Sequence, residues 1–244
     1  MGRAPVTYAK AFFDLQLRFA ETVSSLSGLP LPRALLEYTN FYIRFGLGGD
    51  FDPAHQDWRA YLAGLHDTCD RGEWTYRFYV TRPPGMASPA VVATFGCFSY
   101  AWLTSGRIRL HFQRSEPEEH SPLGVERQGQ RRAELAALFE HVRSTARQPP
   151  TVVGASWLYN LEAYRRLFPS RYLVTARVIR GRFQRMPLWG QFVNRRGQLR
   201  EHVAQELLER LGRQSSLEGL DECFPFQVLG VEAGASEFYD FYGV

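Results

Sequence analysis

Between Tyr8 and Leu26 the apolar residues Phe12, Leu15, Phe19, Val23 and Leu26 return every three or four positions, which lines them along one face of a helix. Ser27-Gly28 and Pro30 end it. A second helical pattern runs from Pro32 through Leu35, Leu36, Thr39, Tyr42 and Ile43 to the glycines Gly46, Gly48 and Gly49. Asp52-Pro53 predicts an N-cap and a first-turn proline for a third helix through Trp58, Tyr61, Leu62 and Leu65. Residues 1–70 are therefore expected to form a helical segment packed on a mixed remainder, 71–244, with the boundary near Asp70-Arg71-Gly72.

After that boundary the period shortens. Glu73 to Val80 places Trp74, Tyr76, Phe78 and Val80 on alternate positions, which predicts a strand broken by Pro83-Pro84-Gly85. Val91 to Leu103 is rich in β-branched and aromatic residues, and Thr104-Ser105-Gly106 predicts a hairpin turn into a strand from Arg107 to Gln113. In that strand Ile108, Leu110 and Phe112 face a core, and Arg109, His111 and Gln113 form a polar face. A surface loop over Ser115–Ser121 leads to a helix from about Arg131 to Arg147, with Leu135, Leu138, Phe139 and Val142 as its apolar stripe. The nearly continuous apolar run Thr151 to Trp157 suits an interior strand. Further elements are expected as a helix over 161–168, a strand over Leu173–Ile179, a helix through Leu199, Val203, Leu207 and Leu211, and a last strand in Phe224–Val231.

The pattern amounts to a mixed α/β (α+β) fold. A central, largely antiparallel sheet is flanked on its faces by helices 131–147 and 161–168, with the helical N-terminal segment packed against it. A hydrophobic fraction of 45% and a charged fraction of 22% are those of a chain that buries a full core. No stretch of about 18 apolar residues runs without charge, so no membrane span is expected, and the charged residues Lys10, Asp14, Arg18 and Glu21 argue against a signal peptide. Cys69, Cys97 and Cys223 are far apart and odd in number, which supports neither a disulfide framework nor a cysteine zinc site and makes the cytoplasm the expected compartment.

The net charge of +4, carried almost wholly by arginine with Lys10 the only lysine, permits an anionic ligand without demanding one. His111, on the polar face of its strand, is a candidate general base. A metal cluster of His120 and His141 with Glu116, Glu118 and Glu119 lacks the spacing that would put its members on one face. Gly154-Ala155-Ser156-Trp157-Leu158 stands where a nucleophile elbow would, but Leu158 replaces the second glycine. Between 177 and 200 the residues Arg177, Arg180, Arg182, Arg185, Arg195, Arg196 and Arg200 interleave with Phe183, Trp189 and Phe192. That is the composition of a module that binds nucleic acid or another anionic ligand without catalysis.

The order strand, loop, basic helix start, strand, helix, strand in Arg107–Ile179 is similar to the core of the GNAT N-acyltransferase superfamily. The family's motif before its first helix, Q/R-x-x-G-x-G/A, aligns with Glu126-Arg127-Gln128-Gly129-Gln130-Arg131, sharing Gly129. Its N-x-x-A-x-x-x-Y segment aligns with Asn160 and Ala163, with Leu167 at the tyrosine position and Tyr164 displaced from it. The resemblance implies a transferase that uses acetyl-CoA or another acyl-CoA and carries the acyl group directly to an acceptor. Arg127, Gly129, Arg131, Arg132 and Asn160 would bind the cofactor, its pyrophosphate held at the helix start. His111 would take the acceptor's proton and Tyr164 would protonate the departing thiolate.

Overall fold

A computed structural model of the chain describes residues 7–82, 91–103, 106–113, 121–179, 186–194 and 196–244. The chain divides into two compact units, one of Met1–Met86 with Arg180–Gln227 and one of Ala87–Ile179 with Val228–Val244. Within the first unit, the helix that follows Asp70–Gly72 packs on the first helix of the chain.

The first unit opens with α1 (Lys10–Ser27), whose stripe Phe12, Leu15, Phe19 and Val23 is buried and which ends on Gly28 in the left-handed conformation, φ 70°. The single helix expected after Pro32 is two, α2 (Leu31–Tyr38) and α3 (Phe41–Arg44). Thr39 breaks it by turning extended and giving its hydroxyl to the Leu35 carbonyl, 2.7 Å, while buried Gln16 accepts the freed Asn40 N–H at 2.8 Å. The next helix, α4 (Gln56–Asp67), starts later than Asp52-Pro53 predicts. Asp52 makes a local turn by accepting Ala54 N–H, and His55 Nδ1 caps the helix by accepting Asp57 N–H.

Glu73–Val80, expected as a strand, is helical: α5 spans Arg71–Val80. Asp70 accepts the Glu73 N–H at 2.9 Å as N-cap, and the rings of half-buried Trp74 and buried Phe78 lie one turn apart, tilted at 52° with centroids 5.8 Å apart. The aromatic alternation is coincidental with a helical pair at i and i+4.

The second unit holds the sheet. Its first three strands are β1 (Val91–Phe95), β2 (Phe98–Leu103) and β3 (Arg107–Phe112). The expected continuous segment Val91–Leu103 is a hairpin, turning at Gly96 with φ 56°. The hairpin turn expected over 104–106 has residues 104 and 105 outside the described residues, as do the Pro83–Gly85 break and positions 115–120 of the predicted loop. Helix α6 (Gln128–Thr145) then crosses to β4 (Thr151–Ser156), which lies parallel to β3. A 3-10 turn, Trp157–Asn160, leads into the short helices α7 (Glu162–Arg165) and α8 (Ser170–Leu173) and the two-residue strand β5 (Arg177–Val178). Leu173–Ile179 is thus a helix end and a short strand.

The chain then returns to the first unit, where a 3-10 segment over Met186–Phe192 precedes α9 (Glu201–Leu211). It ends in the second unit with β6 (Leu229–Gly234), later than the predicted Phe224–Val231, and α10 (Ala235–Tyr242), which the strand expectation missed. The open sheet has the order β1-β2-β3-β4-β6-β5 and is antiparallel except at β3/β4.

Register sorts the strand side chains onto two faces. Phe98, Tyr100, Ile108, Leu110, Val152 and Val231 point to one, where they share a core with Leu135, Leu138, Phe139 and Val142 of α6 and Phe238 of α10. Tyr159, Tyr164, Phe168 and Tyr172 complete that core, so these helices cover one face rather than both. Arg107, Arg109, His111, Glu232 and Arg177 belong to the other face.

Candidate functional site

The parallel pair is short. β3 and β4 pair from Arg107↔Thr151 to Arg109↔Val153 and no further, although both strands continue. Beyond that point β3 keeps β2 and β4 keeps β6 as neighbours. The C-terminal edge of the parallel pair is therefore where the sheet parts, and it is the edge from which α6 sets out.

The start of α6 is tied down by charge. Arg131, 1% exposed, pairs with Glu134 at 3.0 Å and donates to Cys97 Sγ, while Glu134 accepts the Cys97 N–H at 3.0 Å. This cluster bolts the first turns of α6 to the β1–β2 turn. Arg131, expected to hold a pyrophosphate, is thus an internal structural cation, because its guanidinium is enclosed and already neutralised. Arg132 instead turns outward and lies over the Phe241 ring, 4.7 Å from its centroid. Arg127 reaches Gln130 at 3.0 Å at the helix start, and Gly129 is exposed with open space where a Cβ would stand. Arg166 donates to the Leu123 carbonyl at 2.8 Å, so the chain after β4 is held against the segment leading into α6. Asn160 donates its side-chain amide to the Trp157 carbonyl at 2.8 Å and closes the 3-10 turn, whereas Leu161 is the residue that precedes α7.

On the covered face a group of tyrosines fills the place where the strands part. The Tyr159 and Tyr172 hydroxyls meet at 2.9 Å directly over Gly154, and a Cβ at Gly154 would collide with both. Tyr164 packs on Phe112, Tyr159 and Phe168 and is 2% exposed. Burial pushes the phenols of Tyr159, Tyr164 and Tyr172 well above their ordinary value. Tyr164 is therefore a core residue and a poorer acid than a free tyrosine, which removes it from the role of proton donor expected for it.

The opposite face of the sheet carries ionisable groups of a different kind. Arg107 and Arg177 both reach Glu232, at 2.8 and 3.5 Å, across β3, β6 and β5. His111 and Arg109 are exposed on β3, and the packing round the His111 ring, with the charge of Arg109, holds the imidazole below its usual pKa. Ser99 stands directly opposite His111 on β2, 1% exposed, with no hydrogen-bond partner for its hydroxyl. The alternation in β3 forecasts Arg109 beside His111; only the β2–β3 register brings in Ser99.

His111 and Tyr164, expected as a catalytic pair, thus lie on opposite sides of the sheet, His111 on a strand and Tyr164 on α7 packed against the covered face. Ser156 uses its hydroxyl to accept the Leu158 N–H, a local cap. His120, Glu116, Glu118 and Glu119 lie outside the described residues, among which no group of three or more potential metal ligands occurs. In the arginine and aromatic stretch, Arg180, Arg182, Phe183, Arg185 and Arg195 are also outside them. Trp189 and Phe192 are wholly buried in the first unit, where Trp189 packs on Phe19 and Phe224 and donates to the Tyr38 carbonyl at 2.9 Å. Those rings are core and present no face to a base. Among the described residues, no helix is long and apolar enough to cross a membrane.

Compared with known proteins, the chain matches no family model, no curated protein and no solved structure.

Proposed function

We propose that the chain is an acyl-CoA-dependent acyltransferase whose reaction takes place at the C-terminal edge of β3 and β4. The observation that carries this reading is the parallel β3–α6–β4 crossover, with its strands unpaired beyond Arg109 and Val153 and its helix beginning on a basic turn. Open α/β sheets take ligands at the carboxyl ends of such strands, and a helix start offers N–H donors to phosphate. Arg127, Arg132 and the unobstructed Gly129 would meet the pyrophosphate, with Arg131 holding that turn rigid. Asn160, engaged with the Trp157 carbonyl, shapes the turn after β4.

In the transfer, the acceptor's lone pair attacks the thioester carbonyl, and the neutral imidazole of His111 takes the acceptor's proton. The carbon–sulfur bond breaks, coenzyme A leaves as thiolate, and the proton lost by the acceptor returns through His111 and solvent to give the thiol. General-base catalysis of this kind contributes roughly 10²–10⁴-fold. The alternative, a non-catalytic module for an anionic ligand or nucleic acid over residues 177–200, loses support from the burial of Trp189 and Phe192.

A thermal-shift titration with coenzyme A and with acetyl-CoA tests the reading. Saturation at a hundred times the dissociation constant stabilises by about 2.7 kcal/mol. The shift should disappear in the double variant Arg127→Glu/Arg132→Glu, and His111→Gln should slow thiol release by about 10²-fold or more without weakening the shift. Absence of a shift with either compound defeats the proposal.

A further inference from the structure

On the covered side of the second unit's sheet the helices leave a groove of about 620 Å³, bounded by α7 and α8, by α10 and by Arg132 of α6. That is the size of a site for a small organic ligand and more than one inorganic anion fills. Four arginines line it, Arg132, Arg165, Arg166 and Arg171. Among the described residues only Arg171 has an acidic partner, Glu237 at 2.9 Å, a pair that joins α8 to α10. Arg166 donates to the Leu123 carbonyl, a neutral acceptor that holds the guanidinium without cancelling its charge. Arg132 rests on the Phe241 ring, again without a carboxylate. Arg165 is exposed and makes no ion pair among the described residues, although Glu162 stands three residues before it and four before Arg166. The four-residue spacing does produce pairs elsewhere, at Arg33–Glu37 and Arg210–Glu206. Three positive charges thus share one groove uncompensated, and a bound anion relieves their repulsion.

The rest of the lining narrows the choice of anion. A phosphate monoester offers three oxygens and up to two charges to guanidinium forks that arrive from α6 and α7. Half-buried Phe241 and Leu173 give the groove apolar surface, and planar bases stack on aromatic rings and on guanidinium planes. Glu162 and Asp240, both exposed and without a cationic partner among the described residues, can only accept hydrogen bonds. They suit the hydroxyls of a ribose or the amino group of a base, and they oppose a second anionic group.

We propose that this groove binds a nucleoside monophosphate. Its phosphate lies on Arg132 and Arg165 in the field of Arg166, its base against Phe241, and its hydroxyls on Glu162 and Asp240. Arg132 also belongs to the helix start assigned above to a pyrophosphate, so the nucleotide has two sources, a free one and the 3′-phosphorylated nucleoside end of coenzyme A. Only the second source rests on the acyltransferase reading.

Calorimetric titration of the full chain with the 3′- and 5′-monophosphates of the four ribonucleosides, with the nucleosides and with inorganic phosphate tests the proposal. At least one nucleotide should bind roughly tenfold or more tighter than its nucleoside and than phosphate. Arg165→Gln, at an exposed position, should remove that advantage over the nucleoside, and Arg165→Lys should keep part of it. Phe241→Leu should narrow the gap between the nucleotide and inorganic phosphate. Thermal shifts with coenzyme A and with dephospho-coenzyme A, which lacks the 3′-phosphate, then separate the sources. A larger shift for coenzyme A that Arg165→Gln abolishes assigns the groove to the cofactor, and equal shifts assign it to a free nucleotide. If a nucleotide binds through Arg165 and neither coenzyme gives a shift, the acyltransferase reading falls and the groove stands. Binding of no nucleotide, equal affinity for nucleotides and nucleosides, or an Arg165→Gln variant that binds like the parent overturns the proposal. So does an oligoribonucleotide that binds roughly tenfold tighter than its monomer, the behaviour of a nucleic-acid surface.

Discussion

Strand β3 shows both of the sheet's faces within six residues. Ile108 and Leu110 vanish beneath α6 and α10, while Arg109 and His111, on the positions between and beyond them, remain exposed. On the covered face Tyr159 and Tyr172 satisfy one another, Tyr242 donates to the Leu167 carbonyl at 2.6 Å, and Gly154 leaves room for the tyrosine pair, while the buried Tyr100 hydroxyl has no partner among the described residues. On the other face, among the described residues, the enclosed Ser99 hydroxyl has no hydrogen-bond partner and Arg109 has no acidic partner. A tyrosine-rich cluster draws attention in a sequence as possible acid–base chemistry, yet here the tyrosines are the packing. The proposed base, His111, lies on the face with fewer aromatic residues.

If that contrast is right, substitutions in the core of the covered face should act on stability and those on the opposite face on the pH profile. The largest effect is expected at Phe139, which is fully buried and stacked on Phe238 with ring centroids 4.4 Å apart. Phe139→Ala should cost about 3–5 kcal/mol in chemical denaturation; a loss under about 1 kcal/mol would mean that α6 is not seated as described. Next comes Gly154→Ala, whose added methyl meets both tyrosine hydroxyls and should cost about 1–3 kcal/mol. Combining it with Tyr159→Phe should return part of that loss, and simple additivity of the two changes would contradict the contact.

A smaller effect is expected in the pH profile. His111 is held below the ordinary value of 6.5, first by packing and then by Arg109. A base acts only when neutral, so the acid limb of kcat/KM should have its midpoint below 6.5, activity persisting to lower pH than a free histidine allows. Arg109→Gln should raise that midpoint without bringing it to 6.5, because packing remains. A limb centred above 6.5 in the parent protein would exclude His111 as the base. The smallest effect belongs to Glu232, whose partners Arg107 and Arg177 are partly exposed. Glu232→Gln should cost less than about 1 kcal/mol, and the cost should shrink with added salt.

Much of the second unit could be read from residue order. The alternation Arg107 to Phe112 gave both the strand and its faces, and the stripe Leu135, Leu138, Phe139 and Val142 marked α6 within a few residues. The first unit was harder. Asp70 and Glu73 form a helix-start signal that the alternating rings of Trp74, Tyr76 and Phe78 masked, and a buried glutamine from α1 decided where α2 ends. Candidate chemistry divided in the same way. His111 was visible as a polar residue on a patterned strand, whereas Tyr164 and Arg131 looked equally available and are both enclosed. Local pattern carries no information about which neighbours arrive from elsewhere in the chain.

By itself, then, the sequence determined the clearest periodicities: the helical stripes of α1 and α6, the strand β3 and which of its sides is polar, and where positive charge gathers at the start of α6. These follow from backbone geometry acting on side chains a few residues apart. Only the tertiary structure decided that β3 and β4 run parallel and part after three pairs, that Arg131 is consumed by Glu134 and Cys97, and that Ser99 stands beside His111. Such pairings join residues distant along the chain, and what selects them is the burial of one whole sheet face against helices, a property that no short stretch of sequence possesses.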